Sequence, residues 1–328
     1  MSQFDVIGIG NAIVDVISTA PDTFLDQMGI EKGIMQLIER DRAELLYAAM
    51  DGRVETPGGS VANTIAGIGA LGLKTAFIGK VKDDALGQFY ADALAESGTA
   101  FPNPPKGVDL PTSRSMIFVS PDGERSMNTY LGAGADLSSQ DVPENVFAGG
   151  GLLFLEGYLF DKDEGKTAFS EAAKDMKAAG GRAAITLSDP FCADRHRDDF
   201  QRLIAEDMDI AIGNDQEWMT LYETDDLKAA LTKAAAVCDI VACTRSGEPV
   251  WVWANGAQIE VPVKTITPVD ATGAGDQFAA GFLYGLSTGK DLEAAAKMGV
   301  ICAHEVIGHI GPRPEVDLLA VFRDQGLV

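Results

Sequence analysis

The sequence predicts an α/β fold: a mainly parallel sheet with helices on both faces and a small β-layer beside it. Three observations lead there. Short apolar runs alternate with helical stretches over most of the 328 residues, the rhythm of a parallel sheet covered on both sides. Glycines and polar residues gather where the apolar runs stop, and in such sheets ligands collect at the carboxyl ends of the strands. Two β-rich stretches, 12–40 and 109–131, break the alternation.

The first run, "FDVIGIG" (4–10), leads into Asn11. The irregular stretch that follows contains "IVDVIS" and "GIMQLI". A helix is expected over 60–72, then the run "TAFIGKV" (75–81), then a helix over 84–97. A Pro-rich connector, "FPNPPKGVDLP" (101–111), precedes the second irregular stretch. There "SRSMIFVSPDGERSMNTYL" places two β-rich halves around Pro121-Asp122-Gly123, a hairpin turn signal. These irregular pieces are read as one β-layer over the ligand end of the sheet. Strands at 151–160, 183–189, 208–214 and 239–245 then alternate with helices at 164–179, 195–206, 216–222 and 225–237.

Composition narrows the function classes. Hydrophobic content of 46% suits a globular core, and a formal net charge of −23 repels nucleic acid and anionic membranes. In such a field an anionic substrate needs local help from backbone amides or a few placed cations. The 4 cysteines include no CxxC pair and only 3 histidines are present, which argues against zinc fingers and a disulfide framework. No apolar run reaches the length of a membrane span, and the first residues carry no basic leader. A soluble, cytoplasmic protein is the expectation.

Chemistry concentrates in three stretches. In "DATGAGD" (270–276) the amides of Gly273, Ala274 and Gly275 can turn toward one point, an anion hole suited to a phosphoryl group gathering charge. Asp276 then either caps the helix that begins there or accepts a proton from an attacking hydroxyl. In "TPGGSVANTIAGIGALG" (56–72), Gly58 and Gly59 allow close backbone approach, and Asn63 follows on the first helical turn. That stretch is either a tight turn with small residues for packing or a pocket for a hydroxyl-bearing ligand. In "IGNDQE" (212–217), Asn214 and Glu217 form a capping box or reach a hydrated Mg²⁺ and phosphate. Two other matches fail: "GIGNAI" has Ile13 where a dinucleotide fingerprint needs glycine, and "GKT" (165–167) has Phe160 where a phosphate loop would begin.

In this company "GGSVANTIAGIGALG" and "DATGAGD" resemble the two signatures of the PfkB (ribokinase-like) family of sugar and nucleoside kinases. The similarity runs in the right order over essentially the whole chain. "GNAIVD", with three residues between asparagine and aspartate, resembles the adenosine kinase branch, as do "DGERSMNTYLGAGADL" and "GLLFLEGYLF". The resemblance implies a ribokinase-like α/β/α sandwich, one domain over 1–328, with a small β-lid formed discontinuously by about 12–55 and 109–131. It implies ATP-dependent phosphorylation of a ribosyl primary hydroxyl, adenosine becoming AMP, with a free-sugar kinase for ribose or fructose as the alternative. A monomer or homodimer, bound only by its small substrate and ATP, goes with it.

Residue by residue, Asp276 matches the family's base and Gly273, Ala274 and Gly275 its anion hole. Asn11, Asp15, Gly58, Gly59 and Asn63 match the positions that hold sugar hydroxyls. Arg125 matches a lid arginine that approaches the transferred phosphate. Asn214 and Glu217 match the Mg²⁺–phosphate motif, Glu217 acting through water. Thr244, Arg245, Ser246 and Gly247 match the nucleotide loop, and Asp270 and Thr272 part of a monovalent-cation (K⁺) site. Gln36, Ile38 and Leu159 are expected near the base of a nucleoside. The chain departs from the family pattern at Ala271, often a threonine, and at Arg245 and Ser246, often an aliphatic residue and glycine.

Overall fold

A strand buried on both faces needs apolar cover on both, and β1 (Val6–Ile9) shows the consequence. Val6 joins one apolar cluster and Ile7 and Ile9 the other, because successive side chains point to opposite faces. Gly8 carries no side chain for a reason. A Cβ there would lie 2.5 Å from Val61 and Ile65, so its absence lets the Ser60–Ala70 helix press onto the strand.

The computed structural model describes residues 3–328. After β1 come β2 (Ile13–Thr19), β3 (Met35–Leu37), β4 (Val54–Gly58), β5 (Thr75–Ile78) and β6 (Thr99–Ala100). The expected hairpin is β7 (Ser113–Val119) and β8 (Arg125–Tyr130). Next are β9 (Leu152–Glu156), β10 (Arg182–Thr186), β11 (Ile210–Asn214) and β12 (Ile240–Arg245). Last are β13 (Glu248–Ala254) and β14 (Ala257–Val261).

The main sheet has 9 strands in the order β14-β13-β12-β11-β10-β9-β1-β5-β6. All its pairs from β12 to β6 are parallel, so the predicted α/β architecture is borne out. Its two apolar layers carry Phe77, Phe278 and Phe282 on one face and Phe160, Phe200 and Trp218 on the other. The antiparallel hairpin β13–β14 extends the edge and lies outside the predicted series. Its turn, Asn255-Gly256 with φ of 53° and 75°, is a strong hairpin signal that the alternation alone does not use.

The chain leaves β1 for β5 and β6 on one side and returns to β9 on the other. Strand order therefore reverses between β1 and β9, where parallel sheets place their ligands. Over that end sits a second sheet of 5 strands, β3-β8-β7-β2-β4. Its sequence stretch is less purely β than expected, because Asp22–Met28 and Arg40–Ala49 are helices. Their Leu25, Ala43 and Leu46 bury Val14, Val16, Met116 and Phe118 on the sheet's outer face. Alternation turns the other set of side chains, Asp15 and Arg125 among them, toward the main sheet.

Candidate active site

Asp276 lies in the first turn of the Ala274–Ser287 helix, whose N-cap is Gly273. Gly273 has φ of 80°, and a Cβ there would meet Pro312 at 2.6 Å, so only glycine fits this start. The Asp276 carboxylate caps nothing in its own helix. Oδ1 accepts from Ser60 Oγ at 2.6 Å and Oδ2 from Asn63 Nδ2 at 3.1 Å, both donors standing on the Ser60–Ala70 helix. Burial pushes the Asp276 carboxyl up to about 6, and the Ser60 and Asn63 hydrogen bonds pull against that rise.

Next to this carboxylate the helix start presents free donors. Among the described residues the amides of Gly273, Gly275 and Asp276 have no hydrogen-bond partner. Ala274 differs from expectation: its N–H turns back to the Ala271 carbonyl at 3.3 Å. The glycine at 275 is required neither by backbone conformation nor by neighbours, since a Cβ there would find nothing within 4 Å. It faces an open cleft of about 510 Å³ that Asn214, Thr244, Ser246, Gly247 and Ala274 also line. Such a volume suits a small-molecule ligand. Gly275→Ala should separate stability from binding. The methyl group favours the helix by up to about 1 kcal/mol, yet it intrudes on an anion at the amides by about 1–3 kcal/mol. A raised melting temperature with weakened ATP binding is the expected pair of results; unchanged ATP affinity would clear Gly275 of the nucleotide.

The residues expected to hold substrate hydroxyls meet at the end of β1. Asn11 is 2% exposed, and its side-chain oxygen has no partner among the described residues; the same holds for the Asn63 oxygen. Buried oxygens of this kind call for donors, as a polyhydroxylated ligand supplies. Gly59 has φ of 99°, and a Cβ there would strike the Asn11 carbonyl at 2.4 Å; one on Gly58 would strike Asp15 at 2.5 Å. Asp15 is raised to about 7, chiefly by burial, with Arg125 and Arg313 pulling it down and Asp276 pushing it up. Arg313 has no motif to announce it; it reaches the site from "GPRP" near the C-terminus and donates to the Pro57 carbonyl at 3.3 Å.

Arg125 crosses from the five-stranded sheet to the loop before Gly273. Its guanidinium pairs with Asp270 at 2.9 Å and donates to Thr272 Oγ1 at 3.3 Å. Asp270 also accepts from the amides of Thr272 and Gly311, both at 3.0 Å. Asp270 and Thr272, expected to hold a monovalent cation, thus already share an arginine.

Several expected residues are engaged within the protein. Asn214 and Glu217 form a complete capping box: each Glu217 oxygen accepts from Asn214 at 2.8 Å, and the Glu217 amide donates back at 2.8 Å. Burial raises the Glu217 carboxyl to about 7. No cluster of three or more His, Cys, Asp or Glu suited to a metal exists among the described residues. Arg245 leaves the nucleotide loop to stack over Trp251 at 4.1 Å. Gln36 bonds Asn128 at 2.8 Å on the helix-covered face of the five-stranded sheet, and Ile38 packs against the core. A shift of one residue explains this: Met35 and Leu37, paired with Met127 and Thr129, share the Arg125 face. Leu159 is 2% exposed in the core, whereas its neighbour Tyr158 donates to the Ser188 carbonyl at 3.2 Å near the strand ends.

Comparison with known proteins shows the family. The model of the pfkB family of carbohydrate kinases matches residues 33–317. This chain is a member of that family. The PfkB chain is a kinase, and its fold is shared with a probable sugar kinase protein from Rhizobium etli CFN 42 (44% identity, TM-score 0.91, full coverage of both chains). The adenosine kinase of Sinorhizobium meliloti is similar at 45% identity, with a TM-score of 0.90, over 99% of this chain and 100% of that one. A fructokinase of Vibrio alginolyticus is 28% identical over 73% of this chain and 79% of its own length. As a PfkB kinase the protein takes ATP and a small hydroxylated acceptor; these relatives differ in which acceptor they name. No helix among the described residues is long and apolar enough to cross a membrane, and all four cysteines are buried and free.

Proposed function

We propose that this PfkB kinase transfers the γ-phosphoryl group of ATP to the ribosyl primary hydroxyl of a nucleoside, adenosine first among them. The observation that carries the proposal is the placing of Asp276, held through both oxygens by Ser60 and Asn63 beside three unpaired amides. A hydroxyl bound at Asn11, Asp15 and Asn63 gives its proton to Asp276 as it attacks phosphorus. The amides of Gly273, Gly275 and Asp276 receive the charge that gathers on the transferred group. ATP lies in the cleft beside Thr244, Ser246 and Gly247, bringing Mg²⁺ on its phosphates. Arg125 neutralises Asp270 until a phosphate competes for its guanidinium. A K⁺ ion at Asp270 would compete with Arg125 for that carboxylate.

The lid supports a nucleoside over a bare sugar. Met35 and Leu37 lie on its Arg125 face, 47% and 51% exposed, and an aromatic base would cover them. The outer face is already covered by the lid's own helices, which supports a monomer. Leu37→Asp should leave the melting temperature and kcat nearly unchanged and raise the adenosine KM by about 1.5–3 kcal/mol in binding terms, that is, roughly tenfold or more. Kinetics with adenosine and with ribose side by side check this. An unchanged adenosine KM would remove the base from the lid and favour a free-sugar kinase, the acceptor class named for the fructokinase relative.

A further inference from the structure

We propose that Glu156 is a positioning residue for phosphoryl transfer, locking the end of β1 to the start of the Ser60–Ala70 helix. It stands at the end of β9, beside the point where strand order reverses, and is 0% exposed. Its Oε1 accepts from the Asn11 amide at 2.7 Å and its Oε2 from the Val61 amide at 3.0 Å. Those amides belong to two different elements. The helix N-cap is Gly59, which has no side chain to cap with, so Glu156 supplies from a neighbouring strand the acceptor that an N-cap side chain normally gives. Its negative charge also suits the positive end of that helix.

The functional groups hang from the two clamped points. Asn11 carries its own side chain into the substrate end, and Ser60 and Asn63 flank Val61 on the turn that holds both oxygens of Asp276. Glu156 gives each of its oxygens to a backbone amide, has the Asn11 side chain hydrogen-bonded beside it and is closed to solvent, so it acts through these groups. Gly10 fits the same picture: a Cβ there would lie 2.6 Å from Glu156 Oε2, and the missing side chain leaves the carboxylate its place. A carboxylate costs free energy to bury even when fully hydrogen-bonded. An apolar residue here would strand the Asn11 and Val61 amides; two acceptors on one rigid group satisfy both and fix the register between a substrate holder and a base holder. The inference rests on Asp276 being the base.

The test uses the full chain with two variants. Glu156→Gln keeps the shape but offers one acceptor to two N–H donors, and its own NH₂ opposes the second. Gly10→Ala keeps the charge and displaces the carboxylate instead. Both should lower kcat by about 10–100-fold, the scale of a sub-ångström to 1 Å misplacement, and raise the acceptor KM. The ATP KM should stay at the wild-type value, because the nucleotide cleft lies on other elements. A purely structural role would lower the melting temperature and leave kcat and both KM values of the folded enzyme unchanged, and that result overturns the proposal. Loss of folding in both variants overturns it too, since one methyl group displacing a positioning side chain should spare the core. Asp276→Asn, measured alongside, separates the layers. Retained turnover there sinks the base assignment; a dead Asp276→Asn beside a fully active Glu156→Gln sinks only the clamp.

Discussion

Asp276→Asn should fold, bind ATP and turn over about 10²–10⁴-fold more slowly, the range expected when a general base is removed. Isosteric replacement keeps an acceptor for Ser60 Oγ. It brings an NH₂ group against Asn63 Nδ2, but the Asn63 oxygen has no partner, so a flip of that amide restores the contact. The lost charge near a helix start costs about 0.3–1 kcal/mol, offset by relief of the charge's burial. The amides of Gly273 and Gly275 are untouched, so ATP affinity survives. The proton acceptor is gone. Calorimetry, nucleotide titration and kcat on one preparation distinguish this from a structural role, in which turnover would remain. The pH dependence follows from the same group. Burial raises the Asp276 carboxyl to about 6, and only the ionised form accepts a proton. Turnover of the wild type should therefore fall as pH drops through about 6, and the residual rate of Asp276→Asn should lose that step.

Arg125→Ala should lower kcat by about 10²–10³-fold, the cost of removing one donor from a developing charge, and change the acceptor KM much less. Arg125 is bound to Asp270 and Thr272, immediately before the helix start proposed to meet the phosphate. Its charge becomes useful when negative charge moves onto the transferred group, which is a transition-state effect. Arg125→Lys should rescue little, because the guanidinium serves two partners with a fork that an ammonium lacks. Steady-state kinetics decide the matter: a large KM increase with kcat preserved would put Arg125 in ground-state binding.

The parallel sheet is legible in the sequence because its strands are buried on both faces and read as continuous apolar runs between helices. The glycine turns are legible because backbone geometry needs glycine at 59 and 273, with φ of 99° and 80°. Side-chain direction is harder. In "GIMQLI" the edge strand has no alternation to fix which residues face the cleft, so a one-residue slip exchanges Gln36 and Ile38 for Met35 and Leu37. In "GYLF" every residue is apolar, and the turn of a 3₁₀ helix, absent from the pattern, sends Leu159 to the core. Glu156 leaves one faint trace, a lone carboxylate closing an otherwise apolar strand. Arg313 leaves none, since its approach to Asp15 depends on how the C-terminal loop returns over β4.

The most direct test is release of ADP from ATP by the wild-type enzyme, with adenosine, guanosine, inosine, ribose and fructose compared at equal ATP and Mg²⁺. The account predicts the highest kcat/KM with adenosine, by about tenfold or ~1.4 kcal/mol over either free sugar, and AMP as the product. A free pentose or hexose whose kcat/KM exceeds that of adenosine by the same factor would contradict it.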